Sequence, residues 1–416
     1  MSVVRSVVQS VVQPVVQSVL GSSGPVPIFH MPLANSLDIP IGIGPATFTR
    51  ATTGTYVDKN DGLIKTAAIN DARFEADGQL IEGPSENLSD HSEDVTHWNG
   101  FRLVETLNAA AAPDGTMTMD HIARSTDSGQ KRASIRGAVT LGVRYVASVH
   151  VSKAELDYVQ MTGSTASFAS EYVTFDLAAG AVGNNNLSNG IASIRETYSG
   201  SGIYRCSLSL EATITGTGDI FSSPQPTNAA SRFPGTVGND VDGIYVWGRQ
   251  FEEGSSPSSY IPTITTTAAR SSDNLSIDSD NLPAPGSDYS ISMDVTLRHP
   301  RPSGATTFVL KVNGEANRRI YFNSNNTAVY QHTGLLTTSA LPTTSFKLVV
   351  TKNDDLMAVY VDGGLDSSQA PGVVTGTKNN IQIGRDGTTA SRYLNGHLKN
   401  IKIFDKTLTA SEVAKL

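Results

Sequence analysis

Between residues 99 and 265 the sequence breaks into short apolar, β-branched runs with turn-forming residues between them. The runs fall at 101–106, 117–123, 145–151, 158–162, 172–177, 192–198, 202–210 and 243–251, each about the length of one strand. The breaks carry Pro113-Asp114-Gly115, a polar stretch over 183–190 and Ser199-Gly200-Ser201-Gly202. Spacing of this kind predicts antiparallel sheets stacked as a sandwich. Composition agrees, since only 17% of residues are charged while 37 Gly and 19 Pro supply turns. The 13 Tyr and 13 Phe are enough to pack cores, and 416 residues predict two to four compact units behind a short arm.

The alternation is cleanest at 289–297, where Ile291, Met293, Val295 and Leu297 are spaced by two. Further strands are expected at 346–350, 357–361, 380–383 and 399–404, beyond a Thr/Ser-rich crossing at 263–280. Near the end, Thr409 and Glu412 have the spacing of a capping box and predict a short helical turn. Earlier, Asp58-Lys59-Asn60-Asp61-Gly62 and Ala76-Asp77-Gly78 each sit beside strand-like residues and predict hairpins, with a glycine at positive φ. The first twenty residues repeat every four, with Val3, Val7, Val11, Val15 and Val19 opening successive units. A helix would spread these valines around its surface and break at Pro14, while a strand would leave no polar face. The polar residue in each repeat also interrupts a signal-peptide core. Such a segment has too little apolar mass to fold alone and is expected to order against a partner. The expected architecture is therefore all-β. An extended arm spans 1–24, a small turn-rich β segment spans 25–95, and two antiparallel β-sandwich (jelly-roll) domains span 96–265 and 275–416.

The net charge is −8 and no basic stripe stands out, so no nucleic-acid partner is expected. No apolar run reaches the ~18 residues of a membrane span, so no membrane insertion is expected. The single cysteine, Cys206, lies in a strand-like run and reads as a small buried hydrophobe. The eight histidines show no metal-ligand spacing. Carboxylate pairs such as Glu82 with Glu86 and Asp90 with Asp94 fall in the most polar loop, where solvated groups are expected. There is no G-x-S-x-G elbow and no Gly-rich loop opening a helix. Hence no catalytic residue, cofactor or metal is assigned, and the chain is read as a non-enzyme.

Two resemblances go further. The string Phe48-Thr49-Arg50-Ala51-Thr52-Thr53-Gly54-Thr55-Tyr56-Val57-Asp58, followed by Ala72-Arg73-Phe74-Glu75, Asn87-Leu88 and Ser92-Glu93, resembles a segment of phage tail and virion structural proteins. In those proteins a carbohydrate-binding-module-like sandwich follows. Here 202–206, 245–252 and the closing Ser259-Tyr260-Ile261-Pro262-Thr263 are similar to it, so the resemblance covers about 45–265. One departure is that Glu86, rather than the family's usual Arg, precedes Asn87-Leu88. Residues from about 285 to 416 resemble the concanavalin-like jelly roll of laminin-G and pentraxin type, carried by Tyr393 to Thr409 with Val359-Tyr360-Val361-Asp362-Gly363 and Ile381-Gln382-Ile383-Gly384-Arg385. That family often binds glycans, sometimes with calcium, although its acidic calcium ligands are not obvious in this sequence.

Together the resemblances imply a structural appendage of a bacteriophage particle, a tail or head fibre. It would attach to other virion proteins through the valines of the arm and bind a host surface glycan through its sandwiches. It would be assembled in the host cytoplasm, exposed on the virion, and homo-oligomeric, with a trimer favoured. The alternative is a capsid or tail decoration or connector protein that binds no glycan. Sugar recognition favours aromatic faces flanked by polar and charged groups on loops. The candidates are Arg385, Asp386, Arg392, Tyr393 and Tyr330 in the last domain, with Trp98 in the middle region. Tyr393 begins a strand-like stretch that also suits core packing. Trp98 beside Asn99-Gly100 fits either role, and Trp247, in mid-strand, reads as core.

Overall fold

The computed structural model describes residues 24–229, 231–298, 307–315, 317–323, 325–332, 334–341, 344–386 and 392–416. The arm valines Val3, Val7, Val11, Val15 and Val19 lie outside the described residues, and with them the expected anchoring contacts. The chain forms two units. A central unit holds Arg50–Glu75 and Pro84–Ser272, and a carboxy-terminal unit holds the described residues up to Thr49 together with Ala76–Gly83 and Asp273–Leu416.

The central unit is a sandwich of two antiparallel sheets. One runs Ile191–Glu196, Ile203–Glu211, Arg144–Lys153, Gly243–Glu253, Met119–Arg124, Leu103–Ala110. The other runs Ala133–Val139, Gly216–Gln225, Tyr158–Gly163, Tyr172–Asp176, Ala181–Asn186. Alternate residues of each strand point inward, so Val149, Val151, Cys206 and Leu208 meet Ile135, Val159, Met161 and Phe175 in one core. The conspicuous sequence string of this region is architectural. The Arg50 guanidinium is buried and donates to the carbonyls of Thr52 (2.9 Å) and Ala68 (2.8 Å). That of Arg73 donates to the Thr55 carbonyl (2.9 Å) and to Ser259 Oγ (2.7 Å). The Asn87 amide donates to the carbonyls of Arg249 and Ile261 and accepts from the Ser89 and Phe251 amides. These three side chains replace the ladder bonds that an irregular backbone lacks.

The carboxy-terminal unit is a jelly roll. Its seven-stranded sheet runs Thr47–Thr49, Asn274–Asp278, Asn380–Ile383, Thr307–Val312, Arg318–Phe322, Thr327–His332, Gly334–Ala340. The facing sheet runs Gly364–Gln369, Met357–Val361, Ser345–Lys352, Tyr289–Leu297, Gly396–Phe404, Gly78–Ile81, with Phe29–Met31 also paired to Gly396–Phe404. Ile291, Met293 and Val295 face the core, as their alternation requires, and Phe346 meets Phe322 of the opposite sheet edge to face at 5.7 Å. The final turn, Ala410–Val413, has the expected capping box between Thr409 and Glu412. It covers Val349, Ala358, Tyr360 and Phe404 on the outer side of that sheet.

The stretch 25–95, expected as a β segment of its own, is shared between the two units. Phe29–Met31, Thr47–Thr49 and Gly78–Ile81 complete sheets of the jelly roll, while the hairpin Gly54–Val57 with Ile64–Ala67 and the strand Ser85–Asn87 belong to the central unit. Strands of three or four residues bury too little to stand alone and are stable only as added rungs of a larger sheet.

Candidate functional site

The seven-stranded sheet buries one face against its partner. Strand register fixes what the other face presents. Phe322 and Ile320 point into the core, so Tyr321 and Arg319 point out. Phe308 is directly opposite Tyr321, and Lys311 opposite Arg319, across the adjacent strand, whose bulge between Phe308 and Leu310 keeps both on the outer face. On the other side Gln331 pairs with Arg319 and Leu335 with Gln331, while Gln382 pairs with Lys311.

The two aromatic rings stack, with centroids 5.3 Å apart and planes 24° from parallel. The Arg319 guanidinium lies 5.7 Å from the Phe308 centroid and 5.5 Å from that of Tyr321. The Arg392 guanidinium lies 5.8 Å from the Phe308 centroid. Phe308 is thereby enclosed, whereas Tyr321 stays half-buried and Leu335 is exposed. Arg319 Nε donates to Gln331 Oε1 at 2.5 Å, and Gln331 Nε2 donates to Asn317 at 3.1 Å, which holds the guanidinium over the rings. Asp386 is buried and accepts from Lys311 Nζ at 2.5 Å, with Arg392 Nη1 at 3.5 Å from its other oxygen. The Asp386 amide donates to the Arg392 carbonyl at 3.0 Å, which holds these two residues side by side. Burial raises the Tyr321 hydroxyl pKa, against the opposing pull of Arg319 and Arg392, so the ring carries a neutral phenol. The result is an aromatic platform with cationic edges and fixed amides, suited to stacking on a sugar ring and donating to its oxygens.

Of the side chains expected from the sequence, the fold brings Arg392 and Asp386 to this platform. Arg385 and Tyr393 form an adjoining pair, with the guanidinium 5.4 Å from the ring centroid, but Tyr393 is buried against Gly83. Tyr330 is a correction. Its neighbour Gln331 faces out, so Tyr330 faces in, where its hydroxyl meets that of Tyr289 at 2.5 Å. Trp98 is a second correction, because it is core in the central unit. Its Nε1 donates to the His91 carbonyl at 2.9 Å and its ring lies 5.5 Å from the buried Arg249 guanidinium. Neither ring has a face left for a ligand. Phe308, Arg319, Tyr321 and Lys311 were not singled out from the sequence. The alternation Arg319-Ile320-Tyr321-Phe322 was the available signal.

In the central unit, Ala229, Ser231 and Phe233 lie over the outer face of the five-stranded sheet. Gln160 accepts from the Phe233 amide (2.8 Å), and its own amide donates to the Ser231 carbonyl (2.9 Å). Thr174 bonds the Ala229 carbonyl. Beside this cover, Phe101 lies between Arg102 and Arg132, at 4.8 and 5.1 Å. Among the described residues no group of three or more His, Cys, Asp or Glu could hold a metal ion.

Among solved structures, the fold is similar to the CBM40 domain of the IT-sialidase of Ruminococcus gnavus, at 14% identity over 31% of this chain and 82% of that one, with a TM-score of 0.26. It is similar to domain 4 of AbnA, a GH43 extracellular arabinanase from Geobacillus stearothermophilus, in complex with arabinotriose, at 18% identity over 39% and 81%, with a TM-score of 0.28. Domains LG4-5 of the mouse laminin alpha1 chain match at 12% identity over 69% and 90%, with a TM-score of 0.23. No curated protein matches the sequence. The family model described as the concanavalin A-like lectin/glucanases superfamily matches residues 270–414, the greater part of the jelly roll that carries the platform.

Proposed function

We propose that this chain is a non-catalytic glycan-binding protein that holds saccharide on the outer face of the seven-stranded sheet, and that it serves as an appendage of a bacteriophage particle. The observation that carries the binding reading is the Phe308–Tyr321 stack under two guanidiniums, on a jelly roll whose sequence matches the lectin/glucanase family. Tyr321 would stack on a sugar ring, Leu335 would extend the apolar strip, and Arg319, Arg392 and Gln331 would meet hydroxyl or carboxylate oxygens. Hydrolysis of a glycosidic bond calls for two carboxyl groups roughly 5–10 Å apart across the bond. Among the described residues, the strand positions of this face offer only Asp278, whose carboxylate accepts from the Asp280 amide, and nearby Asp386 is tied to Lys311. This supports the reading that the face binds without cleaving.

The virion reading is supported by the sequence resemblance over 45–265 and by the four-residue repeat of the arm. On that reading the chain sits on the particle surface as a homo-oligomer, a trimer, and several weak sites give avidity.

Titration of the full chain with host surface polysaccharide tests the binding half. Saturable binding is expected, weakened at least about tenfold by Tyr321→Ala and by Arg392→Ala with the unfolding midpoint nearly unchanged. Unaltered binding in both variants would remove the site from this face, and no saccharide binding at all would favour a decoration or connector protein. Immunodetection of the chain on purified particles tests the virion half, and absence from particles sinks it.

A further inference from the structure

The charges on this face are unbalanced. Among the described residues around the aromatic stack, Lys311, Arg319 and Arg392 contribute three cations against the one carboxylate of Asp386, with Asp278 two strands away on the same face, on a chain whose net charge is −8. Asp386 is already engaged by Lys311 at 2.5 Å and by Arg392 at 3.5 Å. Arg319 has no carboxylate partner among the described residues, and its Nε is held by the neutral Gln331 amide. Arg319 and Arg392 both lie within 6 Å of one ring, that of Phe308, and Arg392 keeps 43% of its side chain exposed. The two guanidiniums flank one ring no more than about 12 Å apart, and an anion placed beside that ring is attracted by both. Guanidinium groups present a planar fork that matches carboxylate oxygens, and the aromatic stack beneath limits their hydration. A neutral sugar needs none of this concentration of charge, and the rest of the acidic chain would repel an acidic one.

Building on the binding reading above, we infer that the saccharide class held here is acidic, with a sugar carboxylate bridging Arg319 and Arg392 while an adjoining ring stacks on Tyr321. Lys311, tied to Asp386, sets the position of Arg392 through that shared carboxylate.

The test uses the full chain and four acidic oligosaccharides, from hyaluronan, alginate, polygalacturonate and polysialic acid. Each is compared with its carboxyl-reduced counterpart, which keeps the sugar and removes the charge. At least one acidic form is expected to bind about tenfold or more tighter than its reduced partner, with affinity falling as salt rises. Arg319→Gln and Arg392→Gln should each abolish that preference, and Arg392→Lys should keep part of it. Unfolding midpoints of the variants are measured alongside, so that loss of fold is not read as loss of the site. Equal binding of acidic and reduced forms, or a preference that survives both glutamine variants, overturns the inference while leaving glycan binding intact. Failure of every acidic and reduced form to bind overturns the glycan-binding reading as well.

Discussion

Gly83 and Tyr393 fit against each other with no room for a side chain, since a Cβ on Gly83 would lie 2.6 Å from Cδ2 of the tyrosine ring. The Gly83 amide also donates to Asn395 Oδ1 at 2.8 Å, so the chain leaving Gly78–Ile81 is clamped onto the segment 393–395. The Arg385 guanidinium also packs on the ring, 5.4 Å from its centroid. Tyr393 is therefore a packing residue at the edge of the platform. Gly83→Ala should cost about 1–3 kcal/mol through overpacking, and Tyr393→Ala about 3–4 kcal/mol through the lost ring and the cavity it leaves. Chemical denaturation of each variant checks this, and a cost below 1 kcal/mol for Tyr393→Ala would mean the ring is not packed as described.

Trp98 and Arg249 form a second pair whose role is stability. The Arg249 side chain is fully buried and donates to the carbonyls of Asp90, Ser134 and His97 and to the Asp90 carboxylate. Burial pushes its pKa down to about 10, so it remains charged at neutral pH. Arg249→Met would leave those carbonyls without donors and should destabilise the central unit by about 3–5 kcal/mol. Trp98→Ala should cost a similar amount. Saccharide binding at low temperature, where both variants stay folded, should match the unaltered protein. A selective loss of binding in Trp98→Ala would return that residue to the list of ligand contacts.

Neither burial is decided by the local sequence of Tyr393 or Trp98. Strands with an alternating or fully apolar pattern, such as Tyr289–Leu297, Met357–Val361 and Asn380–Ile383, were legible to the residue because burial on one or both faces leaves a pattern. Ala181–Asn186 was not, because an edge strand with both faces wet carries Asn and Gly in place of apolar residues. Gly216–Gln225 was hidden by its serines and Pro224, which pair with neighbouring strands but carry little hydrophobic signal. At the site the missing quantity was phase. Tyr330 and Tyr321 have similar local sequence, and only the pairing of Ile320 with Tyr330 and of Arg319 with Gln331 decides which aromatic faces water. A bulge such as that between Phe308 and Leu310 shifts the alternation by one and is not visible in composition.

Cys206 gives a probe of the central unit. It is fully buried among core residues, between Val149 and Ile194 on the neighbouring strands, and burial raises its thiol pKa. A thiol in that state is neither ionised nor reachable. In native buffer at pH 8 an aromatic disulfide reagent should leave Cys206 unmodified for hours, and in denaturant it should titrate one thiol per chain. Because this is the only cysteine, the labelling rate through the denaturant range should follow opening of the central unit alone. Rapid labelling of the native protein would show that this core opens locally.

His332 and His30 make the stability of the jelly roll depend on pH. His332 is buried in the jelly-roll core beside Tyr289 and Tyr330, with ring centroids 6.0 and 6.4 Å away. Burial first, then the positive charges of Arg318 and Lys352, lower its pKa from 6.5. Half-buried His30 is lowered in the same direction by burial and Lys402. Both histidines are neutral in the folded and unfolded chain at pH 8, so they exact no cost there. As pH falls through 6.5 the unfolded chain binds protons that the folded unit resists, and stability is lost from that point down to the depressed folded values. The slope is at most about 1.4 kcal/mol per pH unit for each histidine. Denaturation midpoints of the jelly roll should therefore fall between pH 7.5 and 5.5. Replacing both residues in His30→Gln/His332→Gln should flatten that dependence, whatever it does to absolute stability. A slope that persists in the double variant would assign the pH dependence to other groups.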